Sequence, residues 1–137
     1  MRPTTSLTRP AALALLLATP AFAQEFQPYP EPKVSPEQYA AYADEVRQYH
    51  GATADFIRED NVIAFSDPRS RTFWVFTTKD NPAHPAWITR QMVEENGDVR
   101  VRQIGYYAGS EEAFAKLFRA YQERNSKLME DVARRNQ

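Results

Sequence analysis

Between residues 61 and 107 the chain gathers its β-branched and aromatic residues into four short runs, and this concentration constrains the fold more than any other feature. Residues 61–67 (NVIAFSD) and 72–78 (TFWVFTT) read as strands, with Pro68, Arg69, Ser70 and Arg71 as the turn between them. A four-residue turn sets Phe65 against Trp74, Ala64 against Val75 and Ile63 against Phe76, partners that suit one another across a ladder. Both faces of these runs carry apolar groups, which places them at the centre of a sheet. Residues 87–94 and 99–107 form a second hairpin about Asn96-Gly97, a strong turn signal. A three-residue loop, Asn96-Gly97-Asp98, sets Glu94 against Arg100, Val93 against Val101 and Ile88 against Tyr106. A two-residue loop sets Val93 against Arg100, a poorer chemical match, so the three-residue loop is the expectation.

Helices flank this block. Ser35 is placed to cap, Pro36 suits the first helical position, and Gln38 completes a capping box. Tyr39, Tyr42, Ala43, Val46 and Tyr49 then recur on one face up to Gly51, a C-cap, which predicts a helix over 36–50. Ser110 with Glu111 and Glu112 opens a second helix that runs without proline or glycine to about residue 134. Phe114, Phe118, Tyr121, Asn125, Leu128 and Val132 alternate spacings of four and three along it, a heptad seam. The expected fold is α+β: an N-terminal helix, a four-stranded antiparallel sheet of two hairpins, and a long C-terminal helix packed on the sheet.

The N-terminal 23 residues stand apart. Arg2 and Arg9 precede the apolar run AALALLLA, and Ala21-Phe22-Ala23 fits a signal-peptidase site before Gln24. The run is too short for a permanent span. Residues 24–34 form a proline-rich extended leader, with Pro28, Pro30 and Pro32, and residues 35–137 a single domain. That domain is large enough to hide roughly two-thirds of its unfolded surface. The chain has no cysteine, which removes thiol nucleophiles, thiolate metal sites, disulfides and a lipidated cysteine after the signal. The expected compartment is the periplasm, or the exterior, with no membrane anchor. Cleavage takes away Arg2 and Arg9, so 17 Lys+Arg against 18 Asp+Glu becomes a mildly acidic balance. Such a balance gives no electrostatic case for nucleic acid.

Chemistry-bearing patterns are sparse. The two histidines, His50 and His84, are not spaced as metal ligands, and no glycine-rich loop can cradle a phosphate, so neither metal nor cofactor is expected. The most distinctive segment is the loop TTKDNPAHPAW, where Pro82 and Pro85 restrict Asn81 and His84 to extended geometry. Stiffening before binding saves entropy, imidazole titrates near neutrality, and Arg suits a carboxylate. Trp74, Thr77, His84, Trp87, Arg90 and Tyr106 are therefore the ligand- or partner-binding candidates. The opposite parities of Trp87 and Arg90 set them on different sheet faces unless a bulge intervenes. Along the C-terminal helix Asn125, Leu128 and Val132 are the candidates for a homodimer seam.

The run from Phe73 to Thr78, followed by His84-Pro85-Ala86 and Arg90, resembles small exported proteobacterial proteins with a W-x-F-T…H-P-A…R pattern. The resemblance covers about the central third of the chain. It implies an exported protein in which the loop matters, and it implies no mechanism. The leading expectation is a non-enzymatic periplasmic binding or accessory module that recognises a protein or envelope component. One alternative is a small hydrolase-like enzyme using His84 as base and Arg90 for an anion. Another is a structural dimeric envelope protein.

Overall fold

The computed structural model describes residues 26–137, so the expected signal segment and its cleavage site lie outside the described residues. Helix α1 (Pro36–His50) leads through a single 3-10 turn into five strands: β1 (Asp55–Ile57), β2 (Val62–Asp67), β3 (Thr72–Thr77), β4 (Ala86–Glu95) and β5 (Asp98–Tyr107). Helix α2 (Glu111–Arg135) closes the chain. The strands pair in chain order as an antiparallel meander.

The two helices cover opposite faces of the sheet. Tyr42, Ala43 and Val46 of α1 meet Phe65, Trp74, Phe76, Trp87 and Tyr106 in one core. Phe114 and Tyr121 of α2 meet Val62, Val75, Ala86 and Ile88 in the other. Both helix starts follow from their caps. Ser35 accepts from the backbone N–H of Gln38 while the Gln38 side chain accepts from that of Ser35, and Ser110 accepts from that of Ala113. The α1 core is chiefly aromatic. Trp87, with no exposed surface, stacks on Tyr42 (4.8 Å) and Tyr106 (4.7 Å), and Trp74 Nε1 donates to the Tyr42 hydroxyl.

The leader belongs to this core. Val34 N–H donates to the carbonyl of Tyr107 and Tyr107 N–H to that of Pro32, a short parallel bridge on the β5 edge. The Tyr29 ring meets Trp87 and Tyr106 edge-on, and the Tyr106 hydroxyl donates to Tyr29 O.

Two expectations are corrected. The sheet has five strands, not four, because Asp55-Phe56-Ile57 adds an edge strand through Phe56↔Ile63 and Ile57↔Val62. Three residues, one charged, carry no readable period. The second hairpin closes on two residues, Asn96 (φ 53°) and Gly97 (φ 84°), whose left-handed geometry matches the strand twist as a type I′ turn. The register is Val93↔Arg100, Trp87↔Tyr106 and Ile88↔Gly105. Val93 and Arg100 lie near the tip with their side chains partly or fully in water, so their mismatch costs little there. The consequence is large, because one step of register exchanges every β5 side chain between faces. It turns Tyr106 toward α1 and sets Gly105 under α2, where a Cβ would come within 2.5 Å of the Phe114 ring. The first hairpin has the expected pairs, Phe65↔Trp74, Ala64↔Val75 and Ile63↔Phe76.

Candidate functional site: an unpaired arginine beneath the C-terminal helix

The proline-framed loop joins β3 to β4 and is fastened on all sides. Thr77, 3 % exposed, places its hydroxyl where the β ladder ends. Ala86 N–H donates to Thr77 Oγ1 (3.0 Å), and the hydroxyl also reaches Ala86 O (3.1 Å) and His84 Nδ1 (2.8 Å). The carbonyl of Thr77 accepts from the Tyr39 hydroxyl (2.8 Å) and lies 3.1 Å from His84 Nδ1. Asn81 Nδ2 donates to Asp60 O, its Oδ1 accepts from Ala83 N–H, and Ala108 N–H donates to Pro85 O. The His84–Pro85 peptide is cis. Within the loop Asn81, Ala83 and Ala86 are buried and Pro82 is exposed. The His84 ring packs edge-on against Tyr39 of α1 at 5.5 Å.

Of the six sequence candidates, Trp74, Trp87 and Tyr106 are core residues under α1 and the leader. Thr77 and His84 are fastenings of the loop. Arg90 stands on the other face, paired across the sheet with Phe73 and Gln103, and it is not beside the loop. His84 lies against α1 and Arg90 against α2, so the structure does not bring the two into one site.

Arg90 is the unusual member. Its guanidinium lies 5.0 Å from the centre of the Tyr121 ring, and the Arg124 guanidinium lies 4.4 Å from the same ring. Arg90 Nη1 donates to Asn125 Oδ1 (2.9 Å), Asn125 Nδ2 donates to Gln103 Oε1 (2.6 Å), and Gln103 Nε2 donates to Phe118 O (3.0 Å). This relay fixes the arginine with neutral acceptors only. Among the described residues Arg47, Arg100, Arg124 and Arg134 each pair with a carboxylate, whereas Arg90 does not. Arg124 is held by Asp60 through both terminal nitrogens, which raises its pKa. Burial lowers the Arg90 pKa from its ordinary value, Tyr121 draws it up and Arg124 pushes it down. A guanidinium so placed still carries its charge at neutral pH.

Arg90 and Phe73 form the wall between two clefts. One, of about 150 Å³, is otherwise lined by Gln91, Met92, Val101, Asn125 and Leu128. The other, of about 250 Å³, extends past Tyr121 and Arg124 toward Ser66 and Asp55. Neither brings a histidine or a carboxylate onto Arg90, so the arrangement can hold an anion but offers no paired acid and base beside it. Among the described residues no three His, Cys, Asp or Glu side chains gather as metal ligands, and no helix is long and apolar enough to cross a membrane.

Of the three dimer candidates, Asn125 spends its amide inside the chain on Arg90 and Gln103, while Leu128 is 38 % exposed and Val132 half-buried. Sequence reasoning missed Phe73, Tyr121 and Asn125 as site residues. The heptad spacing picked out Tyr121 and Asn125, but as a packing seam. Comparison with known protein families, characterised proteins and solved structures gives no match.

Proposed function

We propose that the protein is a non-enzymatic binding module, exported to the periplasm, that captures the carboxylate of a protein or envelope component at Arg90 between the sheet and α2. The observation that carries the reading is the half-buried Arg90 guanidinium, oriented by Asn125 and Tyr121 and without an anionic partner among the described residues. A partly desolvated cation with neutral partners has lost hydration that they do not fully replace. A planar carboxylate would restore it through charge-assisted, bidentate hydrogen bonds. Export is supported by Arg2, Arg9, the apolar run and Ala21-Phe22-Ala23, and by the resemblance of the β3–loop–β4 pattern to exported proteins. The proline-framed loop serves this reading as a rigid connection that holds β3 and β4 at a fixed spacing. The hydrolase alternative gains no support from His84 and Arg90, which pack against different helices. Self-association through α2 is a second reading, favoured by the exposed Leu128.

The test is capture from envelope extract by the mature protein carrying Arg90→Met, Arg90→Lys or His84→Ala. Arg90→Met abolishes capture, Arg90→Lys retains a fraction of it, and His84→Ala leaves it intact in protein that is still folded. Capture indifferent to Arg90 defeats the reading.

A further inference from the structure

The cation does not stand in polar surroundings. Phe73 lies on the middle strand of the sheet and is nevertheless 40 % exposed, and Leu128, on α2 above it, is 38 % exposed. These two are half of the four large apolar side chains that stand exposed among the described residues, and both line the 150 Å³ cleft together with Arg90. Met92 and Val101, cross-strand partners on the same face, complete the apolar floor. A purely polar anion would leave this floor wet, and a purely apolar ligand would bury the guanidinium without compensation. The charge and the floor together call for one molecule that answers both.

Resting on the reading of Arg90 as an anion site, we propose that its ligand is a free aliphatic carboxylic acid of the envelope. The carboxylate takes the Arg90 donors that Asn125 does not use. The tail runs over Phe73, Met92 and Val101 beneath Leu128. The cleft measures only about 150 Å³, below the ~300–1,000 Å³ of a typical ligand pocket. The enclosed part of the tail is therefore short, and a longer chain leaves the cleft between Leu128 and the sheet.

The probes are hexanoate, hexan-1-ol and acetate, titrated by calorimetry into the mature protein. Backbone amide shifts of Phe73, Met92 and Val101 locate the contact. Hexanoate binds at least tenfold tighter than acetate and at least tenfold tighter than hexan-1-ol, and it shifts those amides. Arg90→Met removes the preference for hexanoate over hexan-1-ol. Leu128→Asp, at a position 38 % exposed, weakens hexanoate at least tenfold in protein that is still folded. Hexan-1-ol binding as tightly as hexanoate overturns the inference, as does the absence of any shift at the three amides. If acetate equals hexanoate and both need Arg90, the tail is refuted while the anion site stands. If Arg90-dependent envelope capture persists without hexanoate binding, the aliphatic ligand alone falls. A wild-type dimer that Leu128→Asp converts to a monomer assigns the cleft to a second copy and also overturns the inference.

Discussion

Thr77→Val measures whether the loop between β3 and β4 is a structural fastening. Valine keeps the shape of threonine and removes one oxygen, at a site only 3 % exposed. That oxygen is the acceptor for Ala86 N–H, at a position with no exposed surface, where a side chain replaces the carbonyl of a ladder. Leaving a buried N–H without a partner costs about 1–3 kcal/mol. The hydroxyl also reaches His84 Nδ1 at 2.8 Å, and losing that contact adds about 1 kcal/mol, offset in part because Nδ1 can donate to Thr77 O. The expected total is about 2–4 kcal/mol, a large share of the ~5–15 kcal/mol typical of a domain. Urea unfolding followed by tryptophan fluorescence gives the value directly, with an unchanged slope showing that the unfolded state is unaltered. A loss below about 0.5 kcal/mol, within the range of ordinary surface changes, refutes the fastening.

Three further outcomes follow from other parts of the molecule. Gly105→Ala drives a Cβ to 2.5 Å from the Phe114 ring and 3.0 Å from Phe118, so α2 must shift and stability falls by about 1–3 kcal/mol by urea titration; an unchanged midpoint contradicts the close approach. The Tyr42 phenol is pushed well above its ordinary value, chiefly by burial. Because the folded-state pKa is the higher one, stability is whole below about pH 10 and declines as pH rises toward the folded value. Urea midpoints between pH 8 and 11 should show this decline, and Tyr42→Phe should flatten part of it. Intact-mass analysis of protein from its native host should find Gln24 at the N-terminus, and a chain still carrying Met1 removes the argument for export.

The helices and the first hairpin were legible because their signals are local. Ser35 with Gln38 and Ser110 with Glu111 mark helix starts within four residues, and Phe65, Ala64 and Ile63 find their partners across a short turn. The edge strand β1 was not legible, since Asp55-Phe56-Ile57 acquires strand character only by pairing with β2. At Asn96-Gly97 side-chain matching misled. The backbone twist decides the turn, and a mismatch near the wet tip weighs little against it. For the site, residue parity already separated Trp87 from Arg90. The remainder depends on contacts distant in sequence: His84 on Tyr39, Arg90 on Tyr121 and Asn125, and Arg124 on Asp60. No local spacing encodes that Arg90 is half-buried and held by neutral partners.

The most direct test of the Arg90 assignment is the unfolding free energy of Arg90→Met. If the side chain served the fold as half of a buried pair, removing it would cost about 3–5 kcal/mol. As a ligand group it gives the folded chain only its stacking on Tyr121, about 0.5–1 kcal/mol, and one hydrogen bond to the buried Asn125, whose Oδ1 left without a partner costs about 1–3 kcal/mol. Relief of the buried charge and the apolar packing of methionine offset both. The expected result is a urea-derived loss below about 2 kcal/mol relative to wild type. A loss of 3 kcal/mol or more would contradict it and make Arg90 a structural residue.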